Sequence, residues 1–148
     1  FSIEGINFVN LYYGDSDEEL KWVESQIGVK VHTPKGIDLK NDLDDLSALM
    51  ASLDLVVGPH TAPVDLAMAV KGASAWVLPF INFNARSPFY FGQAYLPFAP
   101  AAKPIFGDGF KKTMDVVEEE LSHIVQTTDP KLTLAELSKV MYACYGAS

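Results

Sequence analysis

Apolar residues recur along this chain with two different periods, and the two alternate. Residues 6–13, INFVNLYY, form a β-favouring run that stops at Gly14-Asp15, which predicts a buried strand and then a turn. Ser16 and Glu19 stand at capping-box spacing ahead of Leu20, Val23 and Ile27, with Gly28 as a stop, so a helix is predicted over 16–28. VKVHT (29–33) predicts a short strand that ends at the Pro34-Lys35-Gly36 turn. In residues 41–53, Leu43, Leu46, Met50 and Leu53 share one helical face, and Asp42, Asp44 and Asp45 occupy a first turn that favours negative charge. DLVVG (54–58) reads as a strand, 62–70 as a helix and SAWVLPF (74–80) as another strand.

Strands alternating with helices predict an α/β fold with a parallel sheet covered on both faces and right-handed crossovers. Ligands bind such sheets at the carboxyl ends of the strands. The loops expected to line a site are therefore 13–16, 34–40, 58–62 and 79–88. Residues 81–110 are rich in aromatics, Pro and Gly without a clear period, and are too apolar for a disordered linker; they are expected to wrap the sheet irregularly. Two helices are expected at the end. Residues 112–126 carry Val117, Leu121 and Ile124 on one face, and Thr133 with Glu136 is predicted to cap a second helix bearing Leu137, Val140 and Met141.

Composition narrows the partners. The 148 residues, 49% of them hydrophobic, suffice for one domain with a core, and 1–148 is read as a single unit. Because the sequence opens on Phe1, it reads as a segment excised from a longer protein. The formal charge of −8, with scattered basic residues, argues against nucleic acid as a partner. No apolar stretch is long enough for a membrane span. Cys144 stands alone, which excludes an internal disulfide and a thiolate metal site and favours a cytoplasmic location. An anionic ligand would have to be held by backbone N–H groups or by isolated cations such as Arg86, the single arginine.

Several chemistries lack their motifs. The glycine-rich dinucleotide fingerprint, the phosphate loop with its Lys-Ser/Thr, the Gly-x-Ser-x-Gly elbow and metal-spaced histidine pairs are all missing, and neither a cofactor nor a metal is expected. The turn at 58–62 is left. Gly58-Pro59 permits close backbone approach, Thr61 is placed to cap the next helix and Pro63 suits its first turn. A helix start at a sheet's carboxyl edge suits a pyrophosphate, and a plain strand–helix turn without a ligand is the alternative.

The stretch FVNLYYGDSDEEL, followed by GVKVHTPKGIDLKNDLDDLSALMASLDLVVGPHTAPVDLAMAVKGASAWVLPF, resembles the donor-binding C-terminal half of glycosyltransferase family 9, the heptosyltransferase-like GT-B enzymes. The likeness is to the branch in which this half follows tetratricopeptide repeats. It covers residues 8–80, with looser matches at Arg86-Ser-Pro-Phe-Tyr and Lys103-Pro-Ile-Phe. Thr61, Ala62, Leu66, Ala67 and Ala69 match the family's pattern after the third strand. His60 stands where the family has Asp, Asp65 where it has His, and Tyr12 where it has a Gln near the donor phosphates.

The resemblance implies a Rossmann-like three-layer α/β/α domain with a mainly parallel sheet that binds a nucleotide-diphosphate sugar without a metal. Acceptor and catalytic base would belong to an N-terminal domain outside this sequence, so the catalytic residues are unknown and the isolated chain is expected to be inactive. The donor-binding candidates are Tyr13, Gly14, Asp15, Lys35, Gly58, His60, Thr61, Ala62, Asp65 and Arg86. His60 is a candidate phosphate contact or a hydrogen-bonded loop histidine; Asp65 suits a structural place in the first helical turn. His32 and His123 have no family counterpart. The departures, with Phe89-Tyr90-Phe91 as an aromatic patch, support the alternative of a non-catalytic GT-B-like scaffold or protein-interaction domain whose site has drifted. A different doubly wound binding domain is a third reading, because fold alone does not fix function.

Overall fold

The computed structural model describes residues 5–78, 99–127 and 140–142. They form a mixed α/β structure with one six-stranded sheet. In chain order the elements are β1 (Phe8–Val9), α1 (Asp17–Ile27), β2 (Val31–His32), α2 (Leu43–Ser52), β3 (Leu55–Pro59), α3 (Ala62–Lys71), β4 (Ala75–Leu78), β5 (Lys103–Pro104), α4 (Gly109–Thr127) and β6 (Val140–Tyr142). The sheet order is β2-β1-β6-β3-β4-β5, and every pairing is parallel.

Alternation along the two long strands sorts the core into two clusters. Val56, Ala75 and Val77 pack with Leu46 and Met50 of α2 and with Val64, Ala67 and Met68 of α3. Leu55, Val57, Trp76 and Leu78 point the other way, onto Met114, Val117 and Leu121 of α4. The central strands are therefore apolar at successive positions, as strands buried on both faces must be.

Each helix start reflects its own chemistry. Asp42 caps α2, its Oδ1 accepting from the Asp45 N–H at 3.0 Å. Asp42→Ala is expected to lower stability by about 1 kcal/mol, measured by urea unfolding, with little change in the folded spectrum. Ser16 precedes α1 without capping it: its hydroxyl accepts from the buried Asn10 Nδ2 at 3.0 Å. The capping box expected there does not form: the Ser16 hydroxyl is turned to the buried Asn10 amide, which needs a partner, and not to the helix N–H groups. Thr61 likewise makes no side-chain cap, and its hydroxyl donates back to the Pro59 carbonyl at 3.2 Å.

Three other expectations change. Val140 and Met141, predicted on a helix, lie in β6, which pairs with both β1 and β3. A central slot in a parallel sheet leaves two ladders of backbone groups to satisfy, and that demand outweighs a short helical spacing. Within 99–110, expected to be irregular, Lys103–Pro104 adds β5 to the edge of β4. A proline fits an edge strand, where its missing N–H faces no ladder. The first strand is shorter than predicted. Its pairing continues only to Asn10, whose N–H donates to the His32 carbonyl at 2.8 Å. Among the described residues no helix is long and apolar enough to cross a membrane.

Candidate site at the carboxyl edge of the sheet

Beyond β1 the chain leaves the sheet through a fixed turn. Asn10 is 2% exposed; while its amide donates to Ser16, its Oδ1 accepts from the Tyr12 N–H at 2.9 Å. A side chain that binds the backbone two residues on closes a tight turn without strand pairing. The turn delivers Tyr12 and Tyr13, whose ring centroids are 5.6 Å apart with planes tilted by 31°. Gly14 follows, and the far end of the Tyr12 ring occupies the space a Cβ there would need.

A second wall comes from the loop before α2. The Asp38 carboxylate accepts from the Asn41 side-chain amide and from the backbone N–H groups of Lys40 and Asn41, all within 3.0 Å. Those donors, the Asn41 amide foremost, hold the Asp38 carboxyl below the usual aspartate value. Lys40 is thereby presented beside Tyr13, its Nζ 5.8 Å from the ring centroid.

The third wall is the β3–α3 turn. Between these segments lies a cavity of about 280 Å³ at the carboxyl ends of β1 and β3. Leu11, Tyr12 and Tyr13 line it from the first loop, Leu39, Lys40, Leu43 and Leu46 from the second, and Pro59, Thr61, Ala62, Pro63 and Leu66 from the third. Lys40 is the single cationic side chain among these. The walls are otherwise mostly apolar.

The predicted site residues divide into groups. Tyr13, Thr61 and Ala62 meet at this cavity. Gly14 supports Tyr12 from behind, and Gly58 is buried in β3, opposite Val77. Asp15 turns towards α1, its Oδ1 accepting from the Asp17 N–H at 3.3 Å. Lys35 is exposed in its own turn and does not line the cavity. Arg86 and the Phe89-Tyr90-Phe91 patch lie outside the described residues.

His60 and Asp65 are brought together, though at another place. His60 Nε2 is 2.9 Å from Asp65 Oδ1, with the imidazole 18% exposed and the carboxylate 55%. Both line a separate hollow with Met68, Ala69 and residues 99–102. Two of the three positions at which this sequence departs from the pattern it resembles are thus the two ends of one contact, and the third, Tyr12, lines the cavity. Neither His60 nor Asp65 borders the cavity beside Thr61. Among the described residues no group of three or more His, Cys, Asp or Glu is arranged to hold a metal ion.

Lys40 is the functional candidate that sequence reasoning passed over. The loop 34–40 is among those expected to line a site, and the resemblance points within it to Lys35; the structure puts Lys40, at the end of that loop, on the cavity instead. Leu43 and Leu66 read only as helix-face positions, and nothing in their spacing separates a cavity wall from a core contact.

The described fold defines a class: a parallel-sheet α/β protein with a mainly apolar cavity where the β1 and β3 loops meet. Comparison with known proteins adds one relative. Protein FlbA of Caulobacter vibrioides is 48% identical over 79 residues, a match covering 49% of this chain and 13% of FlbA. The matched segment is therefore a small part of that relative's length. No family model matches the chain, and no solved structure does.

Proposed function

We propose that this chain is the nucleotide-diphosphate-sugar-binding half of a metal-independent glycosyltransferase. In this reading it is a Rossmann-like three-layer domain equivalent to a GT-B C-terminal half, and it works with an acceptor-binding domain or tetratricopeptide repeats elsewhere in a longer protein. The observation that carries it is the cavity at the sheet's carboxyl edge, which joins the α3 start at Thr61-Ala62-Pro63 to a tyrosine pair and Lys40. Helix-start N–H groups favour a diphosphate, and stabilising the departing diphosphate is the contribution a donor half makes to transfer. The relative FlbA supports the reading in one respect: there a similar stretch belongs to a much longer chain.

Titration with UDP, GDP and ADP tests it. Binding of at least one at millimolar ligand or below is expected, and absence of binding to all three overturns the reading. Ala62→Glu sharpens the test. Ala62 is exposed at the first position of α3 and lines the cavity, so a carboxylate there opposes a diphosphate while suiting the helix dipole. Nucleotide affinity is expected to fall about tenfold or more, with a thermal midpoint unchanged or slightly raised.

A second reading is a half-fold that binds another protein at this edge without sugar transfer. Tyr13 and Leu43, 54% and 59% exposed at the cavity, favour it. Nucleotide binding that Ala62→Glu abolishes decides against it.

A further inference from the structure

We infer that the cavity takes the flat ring of the donor's base by stacking on Tyr13, and so ranks donors by ring size while barely separating adenine from guanine. The inference rests on the donor-binding reading and specifies how the same site chooses its ligand.

Size is the first argument. A space of about 280 Å³ falls at the small end of ligand pockets, commonly about 300–1,000 Å³, so it holds one ring system with the diphosphate at its rim, beside the exposed Ala62 and Lys40, and the sugar outside.

The ring surface is already in place. Tyr13 is 54% exposed, yet its turn is held by the buried Asn10, so a stacking partner meets an aromatic face whose backbone needs little further ordering. Tyr12 stands tilted beside it, braced against Gly14.

The wall chemistry decides what is read. Leu11, Leu39, Leu46 and Leu66 offer a base edge no side-chain hydrogen bond, the Tyr12 hydroxyl is packed against Gly14, and the Thr61 hydroxyl, its proton given to the Pro59 carbonyl, keeps only an acceptor; the Tyr13 hydroxyl lies on the ring that stacks. A site discriminates strongly between ligands of similar shape only where it hydrogen-bonds the group that differs; stacking tolerates any base and rewards ring area. Lys40, whose Nζ lies over the Tyr13 ring at 5.8 Å from its centroid, is a mobile surface cation that a phosphate leaving the stacked ring can draw off that face.

The experiment is calorimetric titration of the full chain with ADP, GDP, UDP and CDP, together with inorganic pyrophosphate. ADP and GDP are expected within about fivefold of each other, and UDP and CDP about tenfold weaker. Tyr13→Ala is expected to weaken ADP and GDP about tenfold while leaving pyrophosphate unchanged, and Tyr13→Phe is expected to keep the parent affinities. Thermal melts establish that both variants are folded. The inference is overturned if ADP and GDP differ by about a hundredfold, if UDP or CDP equals or exceeds ADP, or if Tyr13→Ala binds ADP like the parent. Failure of UDP, GDP and ADP all to bind removes the donor reading itself, whereas binding with strong selection of one of these bases removes only this inference.

Discussion

Met50→Ala is expected to lower the stability of this protein by about 2–5 kcal/mol, the range for removing a large apolar side chain from a core. Met50 is fully buried on α2, in the cluster formed by Leu46, Leu53, Val56 and Ala67. Its removal leaves space between α2 and the sheet, and two rigid neighbours close such a gap only in part. For a chain of this size the loss corresponds to a midpoint lower by about 5–15 °C. Leu43→Ala is the control. Although Leu43 shares the apolar face of the same helix, it is 59% exposed, so its truncation is expected to change stability by no more than about 0.5 kcal/mol. Urea unfolding of both variants makes the comparison, and equal losses would contradict the packing described for α2.

Gly107→Ala carries the second large effect, and its cause is crowding. A Cβ built on Gly107 would lie 2.6 Å from Thr113 Cα, with Thr113 N and the Lys112 carbonyl carbon closer still. These are backbone atoms of α4, so no side-chain rotation relieves them. Thr113 is buried, and its hydroxyl donates to the Gly107 and Gly109 carbonyls at 3.4 and 3.0 Å, fastening the same approach. One methyl group must therefore push α4 away from the chain leaving β5, taking Met114 and Val117 with it. A loss of about 1–3 kcal/mol or more follows, the usual cost of overpacking. Parent-like urea and thermal unfolding of the variant would show that the approach is looser than described.

Much of this arrangement is legible in the residues, and where it is not the cause is specific. The helices 17–27, 43–52, 62–71 and 109–127 lie where apolar spacing and end signals put them, because those signals act over one or two turns. Gly28 ends α1 with φ 69°, a position that glycine adopts without a Cβ penalty. Capping was less legible. Ser16 and Thr61 carry the right side chains at the right positions, but a buried amide and a nearby carbonyl engage their hydroxyls instead.

The candidate site shows the same division. Local spacing and composition are enough for the alternating α/β chain, the net negative charge and the loops that gather at one edge of the sheet. Long-range packing and pairing are what put Lys40 rather than Lys35 on the cavity, His60 against Asp65 at a separate hollow, and Val140–Tyr142 in the slot between β1 and β3. Those outcomes depend on groups distant in sequence satisfying one another's packing and hydrogen bonds, and the period of a single segment carries no information about its distant partners.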